Sequence, residues 1–323
     1  MKKIFILGLN SFSGSYFANH ASQKGYKVFG CYRTEKRNLL LPYDKNSIKR
    51  YKIDFNKKND VIKTIKILNK IKPDFLIDFA SICHVNESWK YPEKYFKINV
   101  LSKILLFKNN FKFLKKVIYI STPEVFGNQK KLLKENSNNF IPSTPYALSK
   151  LTAETFLKSK MNNKELPLII CRFSNFYGVG QPMYRLIPKI IYCLNKKIKF
   201  PVDGNGESKR NYIHGDDFSD GILKVINKGE IGNTYHFASK SLHSVTDIIK
   251  LICNFKNFNF KKFVVFKKDR KSKDFIYKLD TKNSITKLKW RQKSNFKKSI
   301  IDIINFYDKM YKDIKNKDFK KFI

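Results

Sequence analysis

The sequence predicts an α/β protein: a doubly wound parallel sheet with a smaller, interwoven α/β lobe. Three observations predict it. Apolar runs of strand length alternate with longer helix-patterned stretches through the first half of the 323 residues, the sequence form of a parallel sheet with crossover helices. A glycine-bounded loop joins the first strand to the first helix. After Arg172 the pattern changes to loops punctuated by Gly178, Gly180, Pro182, Pro188, Pro201, Gly204 and Gly206.

In chain order, strands are expected at residues 4–7, 28–31, 50–53, 75–79, 117–120 and 168–171, with helices between them, the first over 15–24. A later helix is expected at 246–255, and the Lys/Asn-rich tail 309–323 reads as a final helix that frays. The sheet domain is expected to take residues 1–172 plus about 212–240, and the second lobe about 173–211 plus 241–323. The first loop reads Gly8-Leu-Asn-Ser11-Phe12-Ser13-Gly14. Glycines there let the backbone turn tightly and approach a pyrophosphate at the helix N-terminus, although a ligand-free turn is nearly as common for so loose a spacing. The second strand ends Cys31-Tyr32-Arg33-Thr34, without the acidic residue that grips an NAD ribose. Arg33 could pair with a 2′-phosphate, which leans toward NADP over NAD, or stand as an ordinary surface residue. Asp54, after the third strand, is placed either to bind adenine or to cap the following helix.

Composition bounds the rest. Lys plus Arg number 66 and Asp plus Glu 26, a formal charge of +40, while 42% of the chain is apolar. The basic residues are mostly Lys, dispersed along the chain, with no zinc-finger spacing and no aromatic RNA-binding signature, so they read as a solvated face rather than a nucleic-acid surface. A dispersed positive field still favours capture of small polyanions. No apolar run reaches the ~18 residues that span a bilayer, which points to a soluble, cytoplasmic protein without a membrane partner. Five cysteines (Cys31, Cys83, Cys171, Cys193, Cys253), none in a CxxC pair, argue against disulfides and zinc. Cys83 and Cys171 read as packing residues. The histidines, His84 among them, show no metal-ligand spacing.

Two segments carry chemistry. The strand at 117–120 runs into Ser121-Thr122-Pro123-Glu124, placing a hydroxyl and a carboxylate at the sheet's carboxyl edge, where open α/β sheets bind ligands. Tyr146-Ala-Leu-Ser-Lys150 puts a phenol and an ammonium one helical turn apart, so the cation can lower the phenol pKa from ~10 toward a usable base. YxxxK alone arises often by chance in a Lys-rich chain. Together with Thr122 and the Gly8 loop it gains weight.

With these segments and Ala80-Ser-Ile-Cys83-His84-Val85, Asn99-Val100, Arg172-Phe-Ser-Asn175-Phe-Tyr177-Gly178, Gln181, Arg185-Leu-Ile-Pro188, Arg210-Asn-Tyr-Ile-His214, Asp217, Asp269-Arg270, Asp274, Leu279-Asp280 and Trp290, the chain resembles the extended short-chain dehydrogenase/reductases. Within them it is most similar to the dTDP-glucose 4,6-dehydratase-like sugar-nucleotide enzymes. The resemblance implies a Rossmann-type sheet and a tightly held, recycled NAD or NADP contacted by Gly8, Ser11, Phe12, Ser13, Gly14, Arg33, Asp54, Phe55, Ala80 and Lys150. It implies a nucleotide-sugar substrate contacted by His84, Asn175, Arg185, Arg210 and Arg270, the last two on the diphosphate. Tyr146 would take the 4-hydroxyl proton as hydride leaves C4, with Thr122 bonding the same oxygen. Glu124 would take the acidified C5 proton, water would leave C6 and hydride would return there. Pro123 stands where dTDP-glucose dehydratases have an Asp acid, whereas GDP-mannose dehydratases have Ser. A 4-epimerase or reductase would use the same Thr122, Tyr146 and Lys150 without needing Glu124. A homodimer is also implied, paired through helices that include the one bearing Tyr146.

Overall fold

The computed structural model describes residues 1–35, 47–129, 131–268 and 278–313. Strand β1 (Lys3–Leu7) shows why the sheet forms. Ile4 and Ile6 point to one face, Phe5 and Leu7 to the other, and all four are fully buried. Both faces are covered, so the strand reads as an unbroken apolar run.

The chain continues through α1 (Phe12–Gln23), β2 (Lys27–Tyr32), β3 (Lys49–Lys52), α2 (Lys58–Ile71), β4 (Phe75–Asp78), α3 (Val85–Lys90), α4 (Pro92–Phe96), a π turn (Lys97–Leu101), α5 (Ser102–Phe107) and β5 (Lys116–Ser121). After a 3-10 turn (Pro123–Phe126) come α6 (Pro145–Asn162), β6 (Leu168–Phe173), β7 (Asn175–Tyr177), α7 (Leu186–Asn195), β8 (Phe200–Asp203) and β9 (Lys209–His214). The last elements are α8 (Gly215–Lys228), β10 (Thr234–Phe237), β11 (Leu242–Ser244), α9 (Val245–Phe255), α10 (Phe260–Phe263), β12 (Val264–Lys267), α11 (Lys282–Thr286) and α12 (Phe296–Asp313).

Seven strands form one sheet in the order β10-β6-β5-β4-β1-β2-β3, every pairing parallel. The chain winds outward from β1 to β3 and then crosses back to β4. The strand order therefore reverses between β1 and β4 and opens a crevice at their carboxyl ends. One face of the sheet packs Ile4 and Ile6 against Phe17 of α1, Phe218 of α8 and Trp290. The other packs Phe5 and Leu7 against Leu106 of α5 and Leu157 of α6.

The second lobe leaves the sheet after β6. Its core gathers Ile187 and Ile190 of α7, Ile248 and Ile252 of α9, and Ile300 and Ile303 of α12. Two small sheets, β11-β9-β7 and β12-β8, complete it. The chain then returns through α8, which packs along α1, to add β10 at the edge of the large sheet. The six expected strands are present, with ends moved by one or two residues. Helix α1 opens at Phe12, earlier than expected, because Ser11 caps it. The final helix begins at Phe296, well before the expected residue 309, because Ile300, Ile303, Ile304 and Tyr307 supply a buried stripe at helical spacing. Residues 314–323 of the expected tail helix lie outside the described residues.

Candidate active site

The crevice is built by backbone first. Gly8 ends the β1 turn at φ +82°, where an added Cβ would stand 3.0 Å from the Ala80 backbone nitrogen. Its N–H and that of Leu9 both donate to the Cys31 carbonyl, at 3.1 and 2.8 Å. Ser11 Oγ accepts from Gly14 N at 3.0 Å, capping α1. A cavity of about 350 Å³ lies over this turn. Of the residues expected at the cofactor, Gly8, Ser11, Arg33, Asp54, Phe55 and Ala80 line it, and so does His84. Phe12, Ser13, Gly14 and Lys150 are not in its lining. The Phe12 ring instead packs edge-on against Phe176 at 4.5 Å, and Gly14 is needed for closure of the turn, since a Cβ there would meet the Gly8 carbonyl oxygen at 2.4 Å. Asp54 does not cap α2. Its Oδ1 accepts from Asn56 N at 3.0 Å, while Lys57 holds the cap position without a side-chain bond. Beside Tyr32, Arg50 places its guanidinium 5.3 Å from the ring centre and pairs with Glu35 at 3.3 Å.

At the end of β5 the chain turns through Thr122, whose Oγ1 accepts from Glu124 N at 3.3 Å. Pro123 occupies the first position of the 3-10 turn, where its missing N–H leaves nothing unsatisfied. Tyr146 sits one residue into the first turn of α6, which opens with Pro145 and is capped by Thr144 Oγ1 accepting from Ala147 N at 3.1 Å. The Tyr146 phenol is buried and held well above its ordinary pKa, first by burial and then by the Glu124 carboxylate. A hydrogen bond with Thr122 and the Arg185 guanidinium pull it down. Thr122, Glu124, Tyr146 and Arg185 thus meet at one place.

Lys150 is buried below them. Its Nζ donates to the Ile120 carbonyl at 2.7 Å and lies 4.1 Å from the centre of the Tyr119 ring. Arg185 acts on the phenol from the second lobe, while Lys150, one turn along α6 from Tyr146, donates to β5. Burial pushes Lys150 down to about 8, opposed by the Asp78 carboxylate.

Arg185 stands at the N-cap of α7. Its guanidinium lies 5.2 Å from the Tyr184 ring centre, and Nη2 donates to Cys83 Sγ at 3.3 Å. His84 packs at a tilt against the same Tyr184 ring, centroids 4.3 Å apart. Cys83 is therefore a site residue and not the packing residue expected, whereas Cys171 is fully buried as expected. All five thiols are free. Asn175, exposed on β7, hydrogen-bonds Tyr212 of β9. Arg210 lies two residues along β9 on the same side, opposite His243 of β11. Arg270, with Asp269 and Asp274, lies outside the described residues.

The sequence reading missed Asn99, Tyr184, Asp78 and Lys103. Asn99, in the π turn, donates through Nδ2 to Ser149 Oγ at 3.0 Å and accepts from Ile82 N at 3.0 Å, tying the loop after β4 to α6. Lys103 is fully buried on Asp78. A buried Lys in a chain this rich in Lys has no local signal; Asn99 had one, since it stood in the matched Asn99-Val100 pair. Among the described residues no group of three His, Cys, Asp or Glu is arranged to hold a metal ion.

A tight glycine turn at the switch point of a parallel sheet, beside a Tyr and Lys one helical turn apart, defines a dinucleotide-binding α/β protein. The chain belongs to the NAD dependent epimerase/dehydratase family, whose profile matches residues 4–238. It is 32% identical to a dTDP-D-glucose 4,6-dehydratase of Dictyostelium discoideum over 79% of this chain and 62% of that protein. It is 30% identical to the Mus musculus dTDP-D-glucose 4,6-dehydratase over 78% of this chain and 73% of that one. A trifunctional Arabidopsis thaliana enzyme with UDP-glucose 4,6-dehydratase activity is matched at 26% over 95% of this chain, which spans 47% of that protein. The fold is shared with the dTDP-glucose 4,6-dehydratase of Streptomyces venezuelae solved with NAD and TYD, at a TM-score of 0.87 and 23% identity over 96% of this chain and 98% of that one. It is equally that of the Thermotoga maritima UDP-glucose 4-epimerase solved with UDP-glucose, at 0.84 and 20% over 95% and 99%.

Proposed function

We propose that this protein is a nucleotide-sugar 4,6-dehydratase, converting an NDP-hexose of the dTDP-glucose or GDP-mannose type to the NDP-4-keto-6-deoxyhexose. The observation that carries the proposal is the Glu124 carboxylate facing the Tyr146 phenol across Thr122, a group that C5 deprotonation requires and epimerisation does not. The crevice fits a dinucleotide: Gly8 leaves room that a Cβ would fill, and Gly8, Ser11, Arg33, Asp54, Phe55 and Ala80 surround the cavity. Bound there, NAD or NADP would supply the hydride acceptor at C4 and the hydride donor at C6.

The chain's own residues handle protons and charge. Tyr146 takes the 4-hydroxyl proton, Thr122 bonds the same oxygen, and Arg185 favours the phenolate. Glu124 takes the C5 proton. Pro123 has no proton to give, so Glu124 passes that proton to the C6 hydroxyl as the C–O bond breaks and water leaves; when hydride reaches C6 a proton is taken up at C5, which balances the one Tyr146 removed from the 4-hydroxyl. Arg185, Arg210 and Arg270 suit the diphosphate, as planar forks do, with Asn175 and His84 toward the sugar and its phosphate. Incubation with dTDP-glucose, UDP-glucose and GDP-mannose should yield a 4-keto-6-deoxy product. Glu124→Gln should cut its formation by ~100-fold or more while reduced-cofactor absorbance still appears. A C4-inverted sugar as the sole product would establish the epimerase reading, which Pro123 favours.

The finer cofactor proposal is NADP over NAD. Arg33 supports it, with Arg50 nearby on β3, although Arg50 is shared with Glu35. A tenfold tighter dissociation constant for NAD would overturn it. Exposed Leu148 on α6 and Leu101 in the π turn support a homodimer through this face, tested by light scattering. Among the described residues no helix is long and apolar enough to cross a membrane. A cytoplasmic location is the reading that the free thiols support.

A further inference from the structure

On the α5/α6 side of the sheet, charge is buried directly beneath the crevice. Asp78 closes β4 and stands in register with Tyr119 on β5, so both side chains emerge on the same face. From α5, Lys103 places Nζ 2.8 Å from each Asp78 carboxylate oxygen and 2.8 Å from the Ala80 carbonyl. Asp78 Oδ1 also accepts from Ala80 N at 2.9 Å. Both side chains are 1% exposed. From α6, Lys150 lies over the Tyr119 ring, beside Asp78 in the sheet.

A buried ion pair is a poor stabiliser, because desolvation offsets its attraction and apolar residues of like volume hold a core as well or better. Lys103 and Asp78 therefore call for another explanation. The charged or titratable groups acting on Lys150 include Asp78, Lys103, Glu154 and Cys83, and the Tyr119 phenol ring lies under its ammonium. Glu154 is bonded to Arg172. Asp78 is left as the carboxylate between two buried ammonium groups.

We propose that Asp78 and Lys103 are positioning residues that set the charge of Lys150: Asp78 keeps the ammonium protonated in a dry site, and Lys103 opposes it while fixing the carboxylate. The proposal rests on Lys150 being the cation that serves Tyr146 and the cofactor ribose. Lys150 is pushed down to about 8 by burial, with Asp78 acting upward and Lys103 downward, so loss of Asp78 moves it toward neutral pH and loss of Lys103 moves it away.

The test reads Lys150 itself. Lysine-selective NMR titration of the full chain follows its Nζ, with the signal identified by its loss in Lys150→Arg. Asp78→Asn leaves two cations and no carboxylate and should lower the midpoint by about one pH unit. Lys103→Met should raise it, and the double variant should return it toward wild type. If Asp78→Asn fails to fold, Lys103→Met and the double variant carry the same comparison. The alkaline limb of product formation should move in the same order, which a purely structural role would not produce. A Lys150 midpoint unchanged across the variants that fold would overturn the proposal. Wild-type protein that converts no nucleotide sugar, with the NMR shifts intact, would instead overturn the dehydratase reading.

Discussion

Replacing Gly8 with Ala tests whether the crevice is set by backbone shape. Two penalties are expected. The residue stands at φ +82°, where an L side chain costs about 1–2 kcal/mol. Its Cβ would also meet three backbone atoms of Phe79 and Ala80, just after β4, at 3.0–3.1 Å, so the carboxyl ends of β1 and β4 must part by a few tenths of an ångström in a packed core, costing about 1–3 kcal/mol more. Gly25 provides the control, since its φ is +80° but nothing lies within 4 Å of its Cβ. Urea unfolding should therefore show Gly25→Ala losing about 1–2 kcal/mol and Gly8→Ala about 2–5. Only the latter should weaken NAD(P) binding, measured by fluorescence titration. Equal losses for the two variants, or cofactor affinity unchanged in Gly8→Ala, would refute the argument that the β1–β4 approach shapes the site.

Two further outcomes concern buried charge away from the crevice. Glu154 and Arg172 pair with no exposure between α6 and β6, and Arg172 lies against Phe126 and Phe140. Glu154→Gln should cost about 3–5 kcal/mol in urea unfolding by stranding the guanidinium, and adding Arg172→Met should recover most of it. Glu135, buried beneath His236 N and Asn283 N, is pushed up to about 7 by burial. Its folded form holds the proton more tightly than the unfolded one, so its stabilisation is full below about 4.5 and lost as pH rises through 7. About 2.5 decades of proton activity correspond to about 3 kcal/mol; the wild-type advantage over Glu135→Gln should shrink by that amount between pH 4.5 and 7.5, and a flat difference would contradict it.

What the sequence made legible follows from range. Strand β1 is an unbroken apolar run because both its faces are covered, and Tyr146 and Lys150 share a face because four residues make one turn. The Gly8 turn was readable because its strain is local. Contacts between distant segments were not: the partner of Cys83 is Arg185, 102 residues away, and nothing near Cys83 announces it. The start of α12 was misplaced for a different reason. Lysine content marked the tail, whereas the buried spacing of Ile300, Ile303, Ile304 and Tyr307 determines where the helix lies. That Tyr146 and Lys150 lie one turn apart followed from helical spacing, but the acceptor that the long Lys150 side chain finds belongs to another strand, the Ile120 carbonyl.

The +40 charge acquires its meaning from burial. An exposed Lys keeps its hydration, and its field is screened within about 8–10 Å of salt solution. Lys103 and Lys150 are buried under the sheet's carboxyl edge, where fields reach further, and they share Asp78, so that spot carries net positive charge beside the Gly8 turn. Lys103 also lies 5.1 Å from the centre of the Phe55 ring, which lines the cavity. A dinucleotide pyrophosphate would meet two kinds of attraction: a screened one from many surface lysines, which acts on encounter, and an unscreened one from below, which acts on the bound state. Raising ionic strength should therefore slow cofactor association more than it speeds release.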